Sequence, residues 1–169
     1  RRVMHELDLF FHEDNPSEGL YRLQSLGILR QIHPELKWTA ENAEDLDKLK
    51  HWIPDEFWKE TFGTQMSEGA IVAPYTIWWK DYSDAVINEL TSRLKMSNKM
   101  AKIILGTGII SRCIPDYREK WASAITEFFE TIPIESLAVW YFLTPEENDR
   151  FIISEFMTKW RHCRPVTTG

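Results

Sequence analysis

The chain has 169 residues, with 20 Lys+Arg against 26 Asp+Glu for a formal net charge of -6, and 43% of it is hydrophobic. That length and composition suit one folded domain or two small ones around a sizeable core, and exclude a fibrous or disordered chain. Two cysteines, Cys113 and Cys163, show no partner pattern, which excludes a disulfide scaffold and points to a reducing cytoplasm. Charged residues cut every apolar run short of the roughly 18 residues that a membrane span needs.

Residues 3–13 set Val3, Leu7, Phe10 and Phe11 on the stripe of an amphipathic helix. Asn15-Pro16-Ser17-Glu18 then supplies an N-cap, a proline at the first helical position and a carboxylate that can answer the cap. The helix it opens runs through Leu20, Leu23 and Leu26 to Gly27, which tolerates a left-handed C-terminal conformation. A short apolar turn (Ile28, Leu29, Ile32) leads to Pro34. Thr39 caps a helix with Ala43, Leu46, Leu49 and Ile53, broken by Pro54, and a brief helix with Phe57 and Trp58 ends at Gly63.

From Thr64 to Tyr82 the apolar residues fit either a buried helix or a loop followed by a helix. Val86, Leu90 and Leu94 mark the next helix, and a Ser97 cap opens another with Met100, Ile103 and Ile104. Pro115 is expected to open a helix carrying Tyr117, Trp121, Ile125, Phe128 and Phe129. Pro133 opens a further one, and Thr144-Pro145-Glu146-Glu147 reads as a capping box before Phe151, Ile152, Phe156 and Trp160. No stretch alternates with a period of two. The expected class is therefore all-α, about nine helices packed as a body with a smaller C-terminal part, and no internal repeat is evident.

The start at Arg1-Arg2-Val3 and the stop at Thr167-Thr168-Gly169 read as the ends of a piece of a larger polypeptide. Charge divides unevenly: residues 1–90 hold 9 basic and 17 acidic side chains, residues 91–169 hold 11 and 9. A phosphate-binding surface is thus expected in the second half, with the acidic first half turned away from nucleic acid.

Catalytic and cofactor motifs are missing: no Cys-x-x-Cys, His-Glu-x-x-His, phosphate loop, dinucleotide glycine fingerprint or nucleophile elbow. Gly106-Thr107-Gly108 lies in an apolar helical pattern and reads as a close-packing or kink site. His5 and His12 share a helix face but lack a spaced third metal ligand. Asp45-x-Asp47 has the spacing of a Mg²⁺-binding pair, yet sits in a capped acidic helix and reads as a solvated face. Among the eight Trp, Trp121 and Trp160 fall on apolar stripes and are expected in the core. Trp78 and Trp79 lie about 100° apart on a helix, which leaves one of them available to a neighbouring domain or ligand.

At the N-terminus, Arg2-Val3-x-x-Glu6-Leu7, Asn15-Pro16, Leu20, Leu23, Leu26-Gly27-Ile28-Leu29 and Ile32-His33-Pro34-Glu35-Leu36 together resemble the RNA-binding region of the bacterial tRNA nucleotidyltransferase and poly(A) polymerase family. A second patch, Leu90-x-x-Arg93-Leu94-Lys95-Met96-Ser97-x-Lys99, is similar to that family's junction between two body helices. A third is Phe151 to Gly169, where Lys159 to Gly169 looks like the run into its tail. The resemblance implies that residues 1–38 open a helical body, that 39–114 complete it, and that 115–169 begin a tail. It also implies that the catalytic head, with its Mg and ATP or CTP sites, lies outside these residues, so no catalytic or metal-ligating residue is expected within them.

Under that resemblance the implied partners are tRNA or another structured RNA and the N-terminal catalytic domain of the same polypeptide, with no membrane. The RNA-contacting residues are then Arg93, Lys95, Lys99 and Lys102 around the Ser97 cap, and Lys159, Arg161 and Arg164 near the end. Arg93 to Lys102 carries four positive charges and no acid, which suits phosphate and 2′-hydroxyl contacts on a duplex. The competing reading is an all-helical protein-interaction module with no nucleic-acid role, supported by the acidic balance and the surplus of aromatics.

Overall fold

The computed structural model describes residues 2–63 and 67–163. Among them lie eleven α-helices, a 3-10 turn at Trp160–His162 and no strand. The helices are α1 Arg2–Phe11, α2 Pro16–Ser25, α3 Ile28–Ile32, α4 Ala40–Lys50, α5 Glu56–Phe62 and α6 Ser67–Trp79. Then come α7 Asp84–Arg93, α8 Asn98–Tyr117, α9 Ala122–Glu130, α10 Ile134–Leu143 and α11 Glu147–Thr158. The all-α class stands, close to the expected number, and the short apolar turn over Ile28, Leu29 and Ile32 is itself the helix α3.

Several ends form as the sequence chemistry dictates. Thr39 caps α4 by accepting from the Asn42 N–H at 3.1 Å, while Asn42 Oδ1 accepts from the Thr39 N–H at 3.1 Å. Ser83 and Ser97 accept from the third-residue N–H of α7 and α8. Gly27 (φ 73) and Gly63 (φ 70) take the left-handed turns that follow α2 and α5, where a side chain would be strained. Pro16 stands at the first position of α2, but the Asn15 side chain donates to Glu18 Oε2 instead of capping the backbone.

Burial overrides local signals elsewhere. Over the described part of the ambiguous stretch α6 is a helix with Pro74 inside it, and every residue from 72 to 79 is buried, while Thr64, Gln65 and Met66 lie outside the described residues. A helix buried on all sides has no amphipathic period to read. Trp78 and Trp79 both lie inside it, at 2% and 0% exposure, so neither is left to a neighbour. Pro115 does not open a helix: α8 continues through it to Tyr117, because Ile110 and Ile114 are sealed in a core and Pro115 costs only one bond in the last turn. The next helix starts at Ala122, and the intervening turn rotates Trp121 out of the stripe to 86% exposure. α4 ends at Lys50, leaving Ile53 exposed.

Thr144 makes no capping box either. Its Oγ1 accepts from the Glu146 N–H and donates to Asp149, a fully buried carboxylate that also receives Arg118 Nε at 2.7 Å and the Trp140 indole N–H.

Two apolar cores result. The first gathers Leu7, Leu20, Leu29, Trp38, Tyr75, Trp78, Trp79, Leu90, Leu94 and Ile103 from α1 to the start of α8. The second gathers Trp58, Ile110, Ile114, Ile125, Phe129, Leu137, Ile153 and Phe156. Each fully buried Trp contributes up to roughly 4–6 kcal/mol of apolar transfer, before the entropy of ordering it. α8 spans both cores, so the expected boundary at 114/115 falls inside a continuous helix. α10 packs on α8 at Gly106, where a Cβ would stand 2.5 Å from Ser136 Oγ. That is the close approach read from Gly106-Thr107-Gly108.

The first thirty-eight residues are fastened into this frame by polar bonds. The Gln24 amide pairs with the Trp38 backbone in both directions, at 2.6 and 3.1 Å. The Trp78 indole donates to the Lys37 carbonyl at 2.7 Å, and Tyr75 donates to Asp8 at 2.6 Å, joining α1 to α6. Burial and the Asp8 carboxylate together push the Tyr75 phenol far above its ordinary value.

Candidate nucleic-acid interface

The turn between α7 and α8 is short because both ends are closed by backbone chemistry. Met96 N–H bonds to the Thr91 carbonyl at 2.9 Å and Lys95 N–H to Ser92 at 3.1 Å, the paired closure of a Schellman motif, and Met96 packs against the first core. That closure needs a left-handed residue after the helix. Here it is Lys95, at φ 55, the only non-glycine residue with positive φ among those described. An L side chain in that region costs roughly 1–2 kcal/mol relative to glycine. Ser97 then caps α8, whose first turn contains no acid.

The turn abuts the N-terminal segment. Arg93 Nη2 donates to the Gln31 carbonyl at 3.1 Å. One turn earlier on α7, Glu89 Oε2 lies 3.0 Å from Nε2 of His33, and His33 Nδ1 accepts from the Glu35 N–H at 3.2 Å. With Nδ1 occupied as an acceptor, the neutral ring carries its proton on Nε2 and donates it to Glu89; the tautomer is assigned from this network. His33, Asn88, Glu89, Ser92 and Arg93 line one shallow depression. Two segments some sixty residues apart in sequence thus form one surface.

Of the seven cations expected to contact RNA, four stand at or just beyond this turn. Arg93 keeps its exposure while bonded to Gln31, and Lys95 and Lys102 are exposed. Lys99 lies 3.5 Å from Glu135 on α10, so an acid absent from the linear run arrives from elsewhere in the fold. Lys159 and Arg161 are at the end of α11, around the second core. Lys159 pairs with Glu155 at 2.9 Å, and Arg161 Nη1 lies 3.3 Å from Met157 Sδ. Arg164 lies outside the described residues.

The charge split also passed over basic residues of the first half. Arg30 and Lys37 are exposed on or just after α3 and line a broad groove against α4, α6 and Tyr82. Glu35, Glu41 and Asp81 line the same groove, which makes it less suited to phosphate than the Arg93–Lys95 side. The signal for Arg30 was available, since it stands inside the N-terminal motif.

Among the described residues no three His, Cys, Asp or Glu side chains converge to hold a metal. Asp45 is bonded by Lys80 at 2.8 Å, His5 is exposed, and the His12 ring nitrogen lies 2.6 Å from the Asp8 carbonyl. No helix among them is long and apolar enough to cross a membrane.

Residues 1–39 match the family model described as "Probable RNA and SrmB- binding site of polymerase A". This N-terminal part of the chain is thus similar to an RNA-binding region, as its motif implies. An A-adding tRNA nucleotidyltransferase of Geobacter sulfurreducens is 38% identical over 53 residues, which are 31% of this chain and 6% of that protein. No solved structure matches the chain. The matched segment holds α1, α2, α3 and the run over residues 34–38. It is the element against which Arg93 and Glu89 close.

Proposed function

We propose that this chain is the RNA-holding part of a tRNA nucleotidyltransferase, positioning the 3′ end of a tRNA or similar RNA for nucleotide addition by an N-terminal head. Arg93, Lys95, Lys99 and Lys102 would contact backbone phosphates and 2′-hydroxyls at the α7–α8 turn, with Lys159, Arg161 and Arg164 as a second group. Such contacts grip the duplex by shape and charge without reading its sequence. Mg and ATP or CTP would belong to the head; the described residues offer no cluster that fits the ion, and no step is assigned to it in this chain.

The observation that carries the reading is the bond from Arg93 to Gln31, since it joins the matched RNA-binding segment to the cationic turn. The test is binding of a tRNA acceptor minihelix by the wild-type chain and by Lys95→Glu and Lys102→Glu. Charge reversal should weaken binding by tenfold or more. A protein-interaction module would be indifferent to both the RNA and the substitutions.

A further inference from the structure

Seven of the eight tryptophans are accounted for by the fold. Trp38, Trp58, Trp78 and Trp79 are buried. Trp52 lies against Phe142, Trp140 donates to Asp149, and Trp160 packs on the second core. Trp121 alone is exposed, at 86%, and it has no ring or hydrogen-bonding partner for its side chain among the described residues.

Its backbone, by contrast, is firmly held. The Trp121 carbonyl accepts the Ala124 and Ile125 N–H groups at 3.0 and 3.2 Å, and Lys120 N–H bonds to Tyr117 at 3.0 Å. Upstream, Arg118 is locked to the buried Asp149 through two nitrogens. A large aromatic ring is thus presented to solvent on a turn whose backbone is hydrogen-bonded on both sides of it. Lys120 precedes it, and the 3-10 turn carrying Arg161 and His162 packs on α9, the helix that Trp121 opens. Glu119 is the acid of this turn.

We infer that Trp121 is a stacking platform for an unpaired RNA base, with Lys120 beside it for the adjoining phosphate. The inference rests on the RNA-binding reading above and adds to it a single-stranded subsite, apart from the duplex contacts of the α7–α8 turn. Every base offers a π-face to an exposed indole, so the platform would be tolerant of sequence, and a neighbouring cation suits the backbone that the base brings with it. A bare protein-docking hydrophobe is the competing explanation. Lys120 and the matched N-terminal segment favour RNA.

The experiment uses the intact polypeptide and two RNA minihelices, one blunt and one with a four-nucleotide single-stranded 3′ overhang, with affinities read by fluorescence anisotropy. Trp121→Ala should lower affinity for the overhang RNA by about 5- to 150-fold, the range typical of removing one base-stacking ring. It should leave blunt-duplex affinity unchanged, and Trp121→Phe should keep most of the wild-type preference. Because Trp121 is the exposed indole, overhang RNA should also protect the wild-type chain from acrylamide quenching. Equal overhang affinity of wild type and Trp121→Ala overturns the inference while the duplex reading stands. So does a Trp121 ring already shielded from quencher without RNA, which would assign the site to protein. Failure of the wild type to bind either RNA overturns both readings.

Discussion

The guanidinium of Arg93, at the last residue of α7, donates to the carbonyl of Gln31 on α3 at 3.1 Å. This bond, with the His33–Glu89 contact beside it, fixes the matched N-terminal segment to the turn that presents Lys95. Arg93→Ala removes the donor from a partly solvated carbonyl and should cost about 0.5–1.5 kcal/mol of stability. Urea unfolding at neutral pH measures it, and an unchanged midpoint would show that the bond does not tie the two elements. Arg93→Lys, which keeps the charge but not the planar fork, should recover only part of the stability.

Lys95 occupies a backbone conformation that suits glycine. Lys95→Gly should therefore stabilise the fold by about 1 kcal/mol, the relief of left-handed strain less the extra entropy of the unfolded chain. The same substitution should weaken RNA binding. A variant that is more stable and binds less well would show that the lysine is kept at the expense of stability; a less stable Lys95→Gly would contradict the strain argument.

Gly106→Ala sets two effects against each other. Alanine favours a helix interior by about 1 kcal/mol, but the added Cβ would meet Ser136 Oγ at 2.5 Å and Pro133 Cδ at 3.1 Å. Ser136 cannot easily yield, because its hydroxyl donates to the Ile103 carbonyl at 2.7 Å in a fully buried site. Overpacking of this kind costs roughly 1–3 kcal/mol. A net destabilisation of up to about 2 kcal/mol is expected by denaturant titration, with partial recovery when Ser136→Gly is added.

Lys80 bridges α6 to α4 through Glu41 at 2.6 Å and Asp45 at 2.8 Å. Burial pulls the lysine down, but its hydrogen bonds to Asp45 and Glu41 outweigh this and raise it above its ordinary value. The hydrogen bond from Lys80 lowers Glu41 below the usual carboxylate range. A lowered acid contributes stability that is present above its unfolded pKa and is lost as pH falls through the folded one; a raised lysine contributes below its unfolded pKa and loses it as pH rises through the folded one. Lys80→Met should thus cost up to about 1 kcal/mol at pH 7. The gap between wild type and variant should shrink toward about pH 3 and again above about pH 11, and a pH-independent gap would contradict the assignment.

How much of this was legible in sequence depends on where the information resides. Capping is local, so Thr39 and Ser97 and the turns at Gly27 and Gly63 could be read directly. The motif of residues 2–38 needed no structure either, since its chemistry is contiguous. Two caps read from the same local chemistry, at Asn15 and Thr144, do not form, and the other failures were three-dimensional. Pro115 looked like a helix start, but its effect depends on how much buried helix surrounds it. Trp121 kept helical spacing with Ile125, yet the turn before α9 removed it from the core. Lys99 stood in an acid-free run until the packing of α10 on α8 brought Glu135 to it. Sequence separates such partners by dozens of residues, and charge counted along the chain is blind to them.

The salt dependence of minihelix binding tests the central claim most directly. Affinity of the wild-type chain should fall linearly on a log–log plot as salt rises, and removing Lys95 and Lys102 together should reduce the slope by about 2, one for each phosphate that is no longer neutralised. A slope that is flat in the wild type, or identical in the double variant, would contradict a cationic RNA-holding surface at the α7–α8 turn.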